Sequence, residues 1–90
     1  MTIQTLADIT LTGAKVQLTT LNNLRATWIK FAATAGGRVG DVNVSSTRGL
    51  LIQANVVTEF PRDSFDQSLI DLSTVYLFGS SGTVSITYGV

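Results

Sequence analysis

Acid–base chemistry needs a side chain that trades protons near neutral pH, and the carboxylates are the first to weigh. The chain holds six of them: Asp8, Asp41, Glu59, Asp63, Asp66 and Asp71. It has no histidine and no cysteine, which excludes imidazole bases, thiolate nucleophiles, disulfides and the commoner zinc sites. Asp63, Asp66 and Asp71 lie close enough in sequence to offer oxygens to a hard cation. Their spacing in a polar stretch nevertheless lacks the dense ligand pattern of a calcium loop. Turn formation and capping are the expected work of these aspartates. Ser45, Ser46, Ser80 and Ser81 have no base beside them, and an unactivated hydroxyl is a weak nucleophile. Gly36, Gly37, Gly40, Gly79 and Gly82 never precede a helix, as a phosphate cradle would require. No catalytic residue, cofactor or metal follows from these patterns, and the expectation is a protein that is not an enzyme.

Binding chemistry has one constellation to offer. Arg25, Lys30, Arg38 and Arg48 are interleaved with Trp28 and Phe31, the ingredients of a single-stranded nucleic-acid surface. Such a surface needs a net positive groove, whereas six basic and six acidic side chains cancel here to zero net charge, so no nucleic-acid partner is expected. Trp28 stays of interest, because it falls on the strand face opposite Ile29 and Phe31. It therefore points away from one core, toward a second sheet or a partner.

The elements that must position these residues are strands. Ninety residues bound a single β domain spanning 1–90, too small to bury more than about 60–65% of its unfolded surface. Charged residues make up 13% of the chain, against roughly 25% in an average soluble domain, and mean hydropathy is +0.33. No apolar run is longer than Val75–Phe78, far short of the ~20 residues of a transmembrane helix, so no membrane partner is expected. The first residues lack the basic and continuous apolar regions of a signal peptide, and synthesis in the cytoplasm is the default. Threonine and serine dominate the polar part while Glu, Lys and Met are scarce. Threonine is β-branched and suits a pleated surface.

Alternation agrees with composition. In 83–90, Val84, Ile86, Tyr88 and Val90 share one face while Thr83, Ser85, Thr87 and Gly89 share the other, the pattern of a half-buried antiparallel strand. The stretch 73–79 precedes it across the loop Gly79–Gly82, and the spacing predicts a hairpin. A strand over 26–34 puts Ile29, Phe31 and Ala33 on one face, and after Gly36 and Gly37 the chain returns through 38–44. Residues 50–58 read as one longer strand that Pro61 ends. Residues 62–72 are irregular: a single helical turn capped by Asp63 or Ser64, or a loop packing Phe65 and Leu69. Met1–Asp8 is either an edge strand or an N-terminal arm ordered against a neighbour. The arm is the favoured reading, since Ile3 and Leu6 there would find little cover in isolation. The sum is six to eight short strands, an all-β antiparallel sandwich or jelly-roll-like barrel. Ile29, Phe31, Val84, Ile86 and Tyr88 are the expected core, and Ile3, Leu6 and Trp28 the expected partner interface.

Residues 26–90 carry a resemblance. Their order is Ala26, Trp28 and Ile29, then Ala32 and Ala33, a glycine turn, and Val39-Gly40-Asp41 leading through Val44, Ser45, Ser46, Thr47 and Arg48 to Gly49. Asp71-Leu72-Ser73 and Val75 through Gly79 follow, and then Gly82, Val84, Ser85, Ile86, Thr87 and Tyr88. This resembles small tailed-phage virion proteins, among them capsid decoration (cement) proteins and modules of head fibres and tails. The resemblance implies a structural protein without catalytic residues, seated on the capsid surface of the virion and made in the host cytoplasm. It implies a homotrimer or other symmetric oligomer bound to a major capsid protein. A tail, fibre or receptor-binding β module is the alternative, and glycan recognition would then fall to Trp28, Tyr76 or Tyr88. A cupin-like enzyme is disfavoured for want of histidines.

Overall fold

The computed structural model describes residues 2–21, 23–60 and 70–89. Among these, the strands are β1 (Ile3–Thr10), β2 (Val16–Gln17), β3 (Arg25–Ala26), β4 (Trp28–Ala33), β5 (Gly37–Gly40), β6 (Leu50–Ile52), β7 (Val57–Phe60), β8 (Ile70–Asp71), β9 (Tyr76–Phe78) and β10 (Thr83–Gly89). One 3-10 turn, Leu72–Thr74, precedes β9. Sheet A has the order β1-β10-β4-β7 and sheet B the order β2-β9-β5-β6, while β3 and β8 form a separate ribbon. All the strand pairs are antiparallel. The protein is an all-β sandwich.

The core follows from alternation. From sheet A, β4 contributes Ile29, Phe31 and Ala33 and β10 contributes Val84, Ile86 and Tyr88; from sheet B come Val39, Ile52 and Leu77, all in one buried cluster. The five residues expected inside are at most 3% exposed. Burying aliphatic and aromatic side chains of this size stabilises a fold by about 1.5–3 kcal/mol each, and period-2 alternation delivers them to one face without further instruction.

Strand partnership departs from the sequence reading. The expected hairpin of 73–79 with 83–90 does not form, because β9 pairs with β2 and β5 while β10 pairs with β1 and β4. The Gly79–Gly82 turn crosses from one sheet to the other. Gly82 sits at φ 94, in the region that side chains other than glycine rarely adopt. The single long strand expected over 50–58 is likewise divided: β6 belongs to sheet B and β7 to sheet A. Asn55, at φ 61, makes the corner, and its backbone N–H donates to the Ala33 carbonyl at 2.8 Å. Asparagine tolerates that left-handed backbone. The expected turn of 62–69, with Asp63, Ser64, Phe65 and Leu69, lies outside the described residues.

The N-terminal reading is corrected as well. Residues 3–10 are not an arm but the edge strand β1, in register with β10 from Ile3 opposite Gly89 to Thr10 opposite Thr83. Leu6 faces Ile86 and Ile9 faces Val84, three residues matched against two. This one-residue bulge turns both apolar side chains inward, where strict alternation would have sent one outward. The chain's own core gives Leu6 the cover that the sequence reading sought from a neighbour.

Candidate functional site

The outer face of sheet A brings the candidate residues together, row by row. Ile3 of β1 and Trp28 of β4 both lie opposite Gly89 of β10, which makes one row of Ile3, Gly89 and Trp28. The next row on that face is Thr5, Thr87, Lys30 and Glu59. Ser85, Ala32 and Val57 make a third, with Thr10 and Thr83 beside it. Trp28 thus points outward from sheet A, away from sheet B. Its ring lies over Gly89, where an added Cβ would stand 2.7 Å from the ring's Cζ2 and closer still to Nε1 and Cε2. Only glycine permits that approach. Lys30 Nζ stands over the same ring, 5.4 Å from its centroid, a cation–π geometry. Ile3, 67% exposed, is the most open large apolar residue among the described ones.

Of the three expected interface residues, the fold therefore unites Ile3 and Trp28 and separates Leu6. The bulge in β1 is the reason, since it puts Leu6 on the inner face against Ile86. What the sequence reading missed is the hydroxyl array beside them. Thr5, Thr83, Ser85 and Thr87 were legible as the polar face of their strands, but their adjacency depended on β1 pairing with β10.

The other candidates scatter or do structural work. Phe31 is fully buried. Arg25 Nη1 lies 3.2 Å from Asp71 Oδ1. Arg38 donates from Nε to the Ser46 carbonyl at 3.1 Å and from Nη1 to the Gly49 carbonyl at 2.9 Å, tying down the loop between β5 and β6. Lys30 and Arg38 thus lie on different sheets, and no basic groove unites them with Arg25. Asp71 caps the 3-10 turn: the Ser73 hydroxyl and amide donate to its Oδ1 at 2.8 and 3.0 Å. Those two bonds, with the Arg25 guanidinium adding to them, hold its carboxyl below the usual carboxylate range. Capping is the role expected for it; Asp63 and Asp66 lie outside the described residues. Among the described residues, no three acidic side chains gather as a metal would need.

The aromatic rings do not share a platform. Tyr88 is in the core, its hydroxyl donating to Gln4 Oε1 at 3.0 Å. Tyr76 is half-buried on the outer face of sheet B, with Lys15 Nζ 5.9 Å from its ring centroid. Beside it on sheet B, Phe78, Arg38, Leu51, Ser46, Gly36 and Gly37 are among the residues lining an open trough of about 350 Å³. No family model, curated protein or solved structure matches the chain.

Proposed function

We propose that this chain is a non-enzymatic structural protein of a tailed-phage virion, a decoration (cement) protein that binds and stabilises the head lattice. The resemblance of residues 26–90 supports it, and the outer face of sheet A carries it further. That face is a broad antiparallel surface with an indole and an isoleucine in one row and hydroxyls in the rows beside them. Aromatic anchors ringed by polar groups that exchange water for partner hydrogen bonds are the usual anatomy of a docking surface. The partner is a major capsid protein. Each copy, acting within a symmetric oligomer, buries this face across neighbouring capsid subunits, so that opening the lattice must also break these contacts. Stabilisation then grows with occupancy and affinity by mass action.

The experiment is binding of the purified chain to purified undecorated heads. Trp28→Ala and Ile3→Lys should each weaken attachment at least tenfold while leaving the circular dichroism of the strands unchanged. Attachment indifferent to both would remove sheet A as the contact. A tail, fibre or receptor-binding module is the second reading. Trp28 and Tyr76 sit on different sheets, so such a module would have one ring per face for glycan stacking. Copy number separates the two: a lattice multiple for decoration, a few per particle for a fibre.

A further inference from the structure

Sheet B carries charge that the chain does not neutralise. Its strands and the segments beside them hold Lys15, Arg38 and Arg48, with Asp41 as the one carboxylate there among the described residues, although the chain as a whole is neutral. Lys15 Nζ donates to the Val42 carbonyl at 2.6 Å, and Asp41 Oδ1 accepts from the Asn43 backbone N–H at 2.9 Å. Arg38 is the informative member. On β5 it stands in one row between Phe78 of β9 and Leu51 of β6. Its Nε and Nη1 donate to the carbonyls of Ser46 and Gly49, which fixes the guanidinium without cancelling its charge. Among the described residues no carboxylate lies within ion-pair distance of it, and none accepts from Nη2.

The trough described above adds an apolar wall to this cation. Every residue lining it is among the described ones, and Arg38 is the one charged residue of the set. Leu51, Ile52 and Phe78 supply the apolar surface, with the hydroxyls of Ser46 and Ser80 beside them. Its volume of about 350 Å³ is at the small end of ligand-binding sites.

We propose that this trough docks a peptide segment of another protein, one that presents a carboxylate beside an aliphatic or aromatic side chain. The carboxylate takes the remaining Arg38 donors, whose planar fork matches its geometry, and the apolar side chain lies between Phe78 and Leu51. Charge selects the anion. One guanidinium lines the trough, with no second cation and no helix N-terminus to offset a doubly charged phosphate. Openness selects the source. A free small ligand is held by walls that cover most of its surface, which an open trough does not do. A segment of a docked protein is covered on its far side by its own chain. The guanidinium is already tied to two carbonyls, so docking need not order it, and pre-organisation of this kind favours binding. The site belongs to sheet B and does not rest on the capsid contact, which uses sheet A.

Nuclear magnetic resonance titration of the isotope-labelled full chain tests it. The probe is a blocked peptide of glycine, glutamate, leucine, phenylalanine and glycine, in that order. The expected result is saturable shifts at the Arg38 Nε–H and at the backbone N–H groups of Gly37, Leu51 and Ser80, with a dissociation constant of about 1 mM or tighter. Glutamine in place of the probe's glutamate should weaken binding at least tenfold, and so should glycine in place of its leucine and phenylalanine. Leu51→Asp puts a carboxylate in register with Arg38 at a side chain that is 62% exposed, and should cost the peptide at least tenfold. Val57→Asp, equally exposed on sheet A, should leave binding unchanged. Phenylbutyrate, a free carboxylate with an apolar body, and inorganic phosphate should each bind at least tenfold more weakly than the peptide. No saturable shift, shifts confined to sheet A, an equal glutamine peptide, or phenylbutyrate or phosphate binding as tightly would each overturn the proposal. Leu51→Asp should still attach to undecorated heads, so a failure of this site and a failure of the capsid contact are distinguishable.

Discussion

Replacing Ile86 by alanine tests the packing that presents the outer faces. Ile86 is 1% exposed on β10, an inner strand of sheet A, with Leu6 opposite on β1 and Phe31 opposite on β4. The substitution removes three carbons from a site with neighbours on both sides. At about 0.8 kcal/mol per buried methylene the transfer loss is roughly 2.4 kcal/mol. The cavity adds to this, because two hydrogen-bonded strands cannot collapse inward freely, and the total is about 3–4 kcal/mol. A chain of this length has about 5–13 kcal/mol of stability in all, so a large part would go. Urea denaturation followed by tryptophan fluorescence should show the midpoint fall by about 2–3 M with the slope unchanged. Ser85→Ala, one residue earlier on the opposite face, should cost less than about 0.5 kcal/mol. If Ile86→Ala costs less than half a kilocalorie, or Ser85→Ala costs more than Ile86→Ala, the inward parity of β10 is wrong and the outer face of sheet A with it.

Gly89→Ala forces the Trp28 ring off the sheet, and overpacking of this kind costs about 1–3 kcal/mol; a shifted emission maximum and a lower melting temperature would register it, and unchanged emission would contradict the row. Deleting residues 2–7 removes the pairing of β1 and the cover Leu6 gives the core, and should cost at least about 2 kcal/mol in denaturant melts; an unchanged melt would restore the arm. Asp71 has a carboxyl pKa depressed in the folded state, so its contribution is present above the ordinary carboxylate range and disappears as pH falls through the lowered value. Acid titration of stability should therefore be flatter in Asp71→Asn than in the wild type, and identical acid profiles would show that the Ser73 and Arg25 contacts do not matter to folding.

The inner residues were legible because alternation is local: Val84, Ile86 and Tyr88 declare their face within one strand. Partnership was not. The Gly79–Gly82 turn has a hairpin's length and composition, yet it carries the chain between sheets, and a strand's own pattern cannot say which neighbour takes its hydrogen bonds. The continuous run 50–58 hid a corner for the same reason. Asn55 was the signal there, a residue tolerant of left-handed backbone inside an otherwise β-prone stretch. Leu6 and Ile9 are spaced by three, which breaks a period of two and could have announced the bulge. Parity put Trp28 on the face opposite Ile29 and Phe31 but left a second sheet or a partner as its destination, and its outward place, packed on Gly89, needed the pairing of β4 with β10.

Copy number in purified particles tests the central claim most directly. Quantitative mass spectrometry of particles from cells expressing this gene, against an isotope-labelled standard of the chain, gives copies per major capsid subunit. A decoration protein predicts a fixed ratio set by the lattice, retained through density-gradient purification and lost on Trp28→Ala. Absence from the particles, or a few copies each, would contradict the decoration reading.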